Sequence, residues 1–184
     1  MKRAKIRLGL VTLTAMLALS ASPVAQASAT PFGYDRWPHP RVTYVVSGSA
    51  YYRRVFQTAI RAWNATGQFK FVPGSAAHHQ VTLSTSNATN GQYYHLAGIT
   101  YSTAGSNDIF TKARVILLNR NMNAYRYTYW NRVHVAEHEL GHVIGLAHSR
   151  DHASVMLANN RYNGISHADA AAVRQRYRIR AGRL

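Results

Sequence analysis

His138-Glu139-Leu140-Gly141-His142-Val143-Ile144-Gly145-Leu146-Ala147-His148 is the stretch on which the reading of this chain turns. On a helix, residues four apart are neighbours, about 5–6 Å apart at Cβ. His138 and His142 can therefore grip one ion from a single helical face. At about 100° per residue, Val133, Ala136, Leu140, Val143 and Ile144 fall in one apolar stripe, with the two histidines roughly opposite. Such a helix has one face for a core and another for a metal. Gly145 lets the chain leave the helix, because glycine tolerates backbone angles that other residues avoid. The turn can bring His148 round as a third nitrogen ligand. Three neutral imidazoles leave a fourth position open for water, as a catalytic zinc requires. Zinc lowers the pKa of that water to about 7. Glu139 directly follows the first ligand and is placed to take the water's proton. Glu137 lies about 100° round the helix from His138 and reads as a surface charge.

Composition narrows the chemistry further. The chain has 184 residues, 47% hydrophobic, which suits one domain with a real core. Cysteine is absent, so disulfides, thiolate metal sites and cysteine nucleophiles are excluded. A metal must be held by histidine and carboxylate, and there are only six carboxylates: Asp35, Asp108, Glu137, Glu139, Asp151 and Asp169. Against 22 Lys and Arg they leave a net charge of +16.

The N-terminus reads as an address. Lys2, Arg3, Lys5 and Arg7 precede an apolar run from Leu8 to Leu19, and small residues then offer cleavage after Ala27 or Ala29. This is the three-part pattern of a secretory signal peptide. The apolar run is short of the roughly 20 residues that span a bilayer. Residues 1–27 are expected to be removed, and 28–184 to form a single secreted domain with no membrane span. Removal takes four of the 22 basic residues and leaves 18 against 6, a net +12.

Arg41–Val46, Phe69–Val72, Gln80–Thr85, Leu96–Thr103 and Ala113–Asn119 read as strands. Between the first two, Tyr52, Val55, Phe56, Ala59, Ile60 and Trp63 recur at helical spacing, and Gly67 closes that helix.

Residues 138–148 resemble the long zinc signature of the metzincin endopeptidases. Ser149, Asp151 and Met156 follow the third histidine at the offsets of matrixins. Met156, in Ser154-Val155-Met156, resembles the methionine of the turn under the zinc, and Ile165–Tyr177 resembles the family's C-terminal helix. Leu96-Ala97 resembles the edge strand that pairs with substrate. The resemblance implies an α+β fold, zincin-like: a twisted mixed sheet packed on helices, with an active-site helix and a C-terminal helix. It implies a secreted zinc endopeptidase acting on protein or peptide. His138, His142 and His148 would be the zinc ligands and Glu139 the general base, later the proton shuttle to the leaving amine.

There are departures. Leu157-Ala158 stands where an aromatic-proline pair usually follows the methionine, and Tyr162 beyond it is a candidate for the specificity pocket. The structural zinc of vertebrate-type matrixins takes a histidine after Leu-Ala, and here that residue is Gly98. Calcium wants 6–8 oxygen ligands, and residues 36–136 offer only Asp108 as a carboxylate. One zinc per chain is expected, with no tightly bound calcium. The loop from Ser86 to Tyr94 is then held by its own packing or mobile.

Weaker features remain open. Arg174, Arg176, Arg178, Arg180 and Arg183 suit either a solvated helix end or an anion-binding tail. Tyr125, Tyr127, Tyr129 and Trp130, interleaved with arginines, either stack on bases or pack around the start of the active-site helix. His78, His79 and His95 read as surface residues. The second reading of the whole chain is a basic secreted protein that binds anionic envelope polymers and carries a structural zinc. A protease held at such an envelope by its arginines combines the two. A monomer is expected, and nucleic acid is not an expected partner.

Overall fold

The computed structural model describes residues 29–184. The signal-peptide expectation falls on residues outside that range. Ten elements follow one another: β1 (Arg41–Val46), α1 (Ala50–Ala65), β2 (Lys70–Pro73), β3 (Val81–Ser86), a 3-10 turn (Gly91–Tyr93), β4 (Gly98–Ala104), β5 (Phe110–Leu118), α2 (Asn119–Ala124), α3 (Tyr129–Ile144) and α4 (His167–Arg178). The strands form one mixed sheet in the order β2-β1-β3-β5-β4. All pairings are parallel except the last, in which β4 runs antiparallel to β5. The architecture is α+β.

Local chemistry accounts for the helices. Ser49 caps α1, its hydroxyl accepting from Tyr52 N–H. The stripe read from sequence is the buried face of α1. Thr128 and Asn131 close a capping box on α3. Gly145 ends α3 in the left-handed region at φ 112°, which a side chain would oppose. Both helices pack on one face of the sheet, where Val42, Val81, Leu83, Val115 and Leu117 meet Phe56, Trp63, Leu140 and Val143. Trp63 Nε1 donates to Glu137 O and Trp37 Nε1 to Val143 O, each at 2.8 Å. Two buried indoles thus satisfy their polar atoms on the backbone of α3 and fix that helix against α1 and the lead-in segment.

Several expectations need correction. The last strand starts earlier than expected: β5 begins at Phe110, not Ala113, because Phe110 and Lys112 pair with Ala104 and Thr103 of β4. Asn119 opens a short helix rather than ending a strand. Six residues are too few for a helical stripe to show. Glu137 is buried rather than a surface charge, its carboxylate paired with His134 Nδ1 at 3.2 Å. Most of α3 from Asn131 to Ile144 is buried. Gly164, of the segment before α4, lies close to Glu137 and His134. Arg176 is fully buried, with its guanidinium over the Phe32 ring and one N–H donating to Tyr34 O at 2.6 Å. The other four C-terminal arginines are exposed. The loop before β4 has hydrogen bonds of its own, Tyr93 N to Asn90 O and Ala88 N to Ser86 Oγ, and is tied to α2 as well: the Asn121 side-chain amide donates to Tyr93 O and Leu96 O, each at 2.8 Å. Tyr127 and Tyr129 do pack near the start of α3, against the core.

Candidate metal centre and active site

The three histidines converge. His142 Nε2 lies 3.1 Å from His138 Nε2 and 3.2 Å from His148 Nε2. His138 Nδ1 faces Val155 O at 2.8 Å and His142 Nδ1 faces Leu146 O at 2.9 Å. Each of those nitrogens must carry its proton to donate to a carbonyl, so each Nε2 is left as a bare lone pair. Burial pulls the pKa of both rings down to about 4, which keeps them neutral at pH 7. Lone pairs pointed at one another repel unless a cation sits among them. A tetrahedral zinc with Zn–N of about 2.0–2.1 Å sets its nitrogens roughly 3.3 Å apart, close to the spacings found. The triad is a group that can hold a metal ion, and it is the one such group among the described residues.

The backbone that aims these rings is itself anchored. Gly145 and Leu146 turn the chain out of α3, and Phe32 bridges to Leu146 while Gly33 N donates to Gly145 O. Ser149 N donates to Met156 O, folding residues 149–156 back under the triad. Met156 is fully buried against α3 at Gly141, where a Cβ would collide with its sulfur. Asp169 holds this turn from below. Its Oδ1 accepts from Ser154 Oγ and Thr30 Oγ1, each at 2.5 Å, and its Oδ2 accepts from Val155 N and Ser166 N, each at 2.9 Å. The path from Asp169 through Val155 reaches His138.

Glu139 lies on the side of α3 that faces β4. Thr100 Oγ1 donates to Glu139 Oε2 at 2.7 Å and lies 3.1 Å from Glu139 O. A Cβ on Gly98 would fall 2.7 Å from Glu139 Oε1, so glycine makes the room that this carboxylate occupies. Burial raises the Glu139 pKa to about 7, with the Thr100 hydroxyl acting in the opposite direction. Leu96, Thr100, Ala158 and the three histidines line an open groove of about 250 Å³. A smaller cavity of about 140 Å³ opens beside His138 and Glu139, between Ala97, Tyr127, Val135 and Asn160.

His138, Glu139, His142 and His148 are thus brought together. Tyr162 is not: it is 74% exposed, and Tyr127 and Asn160 occupy the cavity wall instead. His95 borders that cavity beside Tyr125. Sequence reading did not find Thr100, Gly98, Asn121 or the anchoring role of Asp169. Only Asp169 carried a signal, as the fourth residue of the capping box that begins at Ser166.

A mixed sheet lying over a helix that presents two histidines one turn apart, with a third beyond a glycine exit and a methionine packed beneath, is the arrangement of a metzincin. A sequence profile of the matrixins matches residues 36–178, and the chain belongs to that family. It is also similar to human matrix metalloproteinase-20, at 25% identity over 145 residues, covering 71% of this chain and 29% of that protein. The chain therefore spans about a third of the length of this relative.

Proposed function

We propose that this chain is a secreted zinc endopeptidase. The observation that carries the reading is the convergence of three Nε2 lone pairs, two of them fixed by backbone carbonyls, beside a buried carboxylate. His138, His142 and His148 would hold the zinc, which supplies a Lewis acid for the scissile carbonyl and an acidified water. Glu139, with its pKa near 7, can take a proton and return one to the leaving amine at neutral pH. Thr100 holds the Glu139 carboxylate in place. β4 is the last strand of the sheet, so an extended peptide can pair along it with its carbonyls directed towards the triad. Residues 28–184 would be the catalytic domain and 1–27 its signal.

The second reading, an anion-binding protein with a structural zinc, is less well supported. Structural zinc sites are closed by four protein ligands, whereas this group has three and opens on a groove. No helix among the described residues is long and apolar enough to cross a membrane. The test is Glu139→Gln. It should keep zinc at wild-type stoichiometry and lose cleavage of an unstructured protein such as casein. Cleavage at the wild-type rate would overturn the mechanism.

A further inference from the structure

The solvent face of the sheet plays no part in the chemistry above. Strand residues alternate between faces. Val81, Leu83, Ala113 and Val115 are buried, so their neighbours Thr82, Lys112 and Arg114 point outward. Register then carries this outer face across the sheet. Thr82 lies opposite Arg114, Arg114 opposite Tyr101, and Lys112 opposite Thr103. At the other end Arg41 lies opposite Lys70. At about 4.8 Å per strand the platform is roughly 19 Å wide. Among the described residues no strand contains an Asp or Glu.

The rest of the surface does not neutralise it. Glu137, Glu139 and Asp169 are buried, and Asp35, Asp108 and Asp151 are half-buried. Of the 18 Lys and Arg in residues 29–184, 14 are exposed. A cationic face with no counter-charge draws anionic chains. Between Tyr101, Thr103, Lys112 and Arg114 lies a shallow groove of about 370 Å³.

We infer that this outer sheet face is a docking platform for a linear extracellular polymer carrying a phosphate in each repeat. Lys112 Nζ donates to His79 O at 2.6 Å and Thr82 Oγ1 lies 3.2 Å from His79 Nε2, so the groove offers the Arg114 guanidinium, the remaining N–H donors of the Lys112 ammonium and the Thr103 hydroxyl. Donors spread over three side chains can each meet a different oxygen of a tetrahedral phosphate. The platform is poor in stacking surface: the Arg114 guanidinium lies over one face of its Tyr101 ring, 5.1 Å from the centroid. Gly98 and Thr100 face Glu139 while Tyr101 faces outward from the same strand. A bound polymer therefore lies behind the cleft and leaves it open. The inference does not depend on the catalytic reading.

The test measures binding of labelled inorganic polyphosphate to the secreted protein as a function of salt. Lys112→Glu/Arg114→Glu should weaken binding at least about tenfold and lower the log–log salt slope by about 1.4, as two lost ion pairs predict. Lys112→Gln/Arg114→Gln, milder for folding, should move both in the same direction. Arg174→Glu/Arg178→Glu, an equal charge change at the C-terminus, should stay within about twofold. Cleavage of a neutral peptide should be unchanged in all three. Equal losses in the sheet and C-terminal variants would overturn the platform. So would polyglutamate of the same charge binding as tightly as polyphosphate. A single-stranded oligonucleotide binding more tightly than polyphosphate would show that bases are read and would also overturn it.

Discussion

Replacing Thr100 with valine removes one hydroxyl and almost nothing else. Valine has the same shape and suits a strand, and the backbone pairing of Thr100 with Val115 is untouched. The lost contact is the 2.7 Å bond to Glu139 Oε2, made inside a site where Glu139 is only 6% exposed. Hydrogen bonds to charged groups contribute about 1.5–3 kcal/mol. At about 1.4 kcal/mol per factor of ten, kcat should fall roughly 10- to 100-fold. KM should change little, since Thr100 acts through Glu139. Its hydroxyl holds the Glu139 pKa down against burial, so the variant's carboxyl should titrate higher. The base works ionised, so the acid limb of the pH–rate profile should move to higher pH. The assay is steady-state cleavage of a fluorogenic peptide across pH, with zinc content measured on the same samples. Thr100→Ser restores the hydroxyl and should restore most of kcat. Wild-type kcat in Thr100→Val, or equal losses in the serine and valine variants, would refute the reasoning.

Three other outcomes are expected. Asp169→Ala leaves Val155 N–H, Ser166 N–H and the hydroxyls of Thr30, Ser154 and Ser166 without their acceptor, so denaturant unfolding should show a loss of about 3–5 kcal/mol, accompanied by weaker metal retention; a loss below about 1 kcal/mol would mean the turn is held some other way. Gly141→Ala would ordinarily stabilise a helix by about 1 kcal/mol, but the clash with Met156 should reverse the sign and cost about 1–3 kcal/mol; a raised Tm would contradict the packing described. Elemental analysis after exhaustive dialysis should find one zinc per chain and no stoichiometric calcium, and two zinc ions would overturn that expectation.

Residues 138–148 were legible because their chemistry is local. The i, i+4 spacing, the intervening glutamate and the glycine exit are properties of a single helix and its end, and need no knowledge of the rest of the chain. The stripe of α1 was legible for the same reason: Val55, Phe56, Ala59 and Trp63 share one face whatever they pack against. What the helix meets was not legible. Helical geometry alone places Glu137 at the surface because it shows direction, not cover, and only the folded chain brings Gly164 over it. Arg176 looks like its neighbours in sequence, yet it is buried because residues 32–34 fold against α4 from 142 positions away. The roles of Thr100 and Gly98 beside Glu139 leave no signal in the sequence, since a threonine and a glycine in a strand acquire them only when β4 is laid beside α3. The sequence determined which groups can bind a metal and move a proton. Tertiary structure decided which carbonyls fix their tautomers, which hydroxyl orients the base and which face of the sheet keeps its charge. Those depend on contacts between residues far apart in the chain, and such contacts leave no periodicity to read.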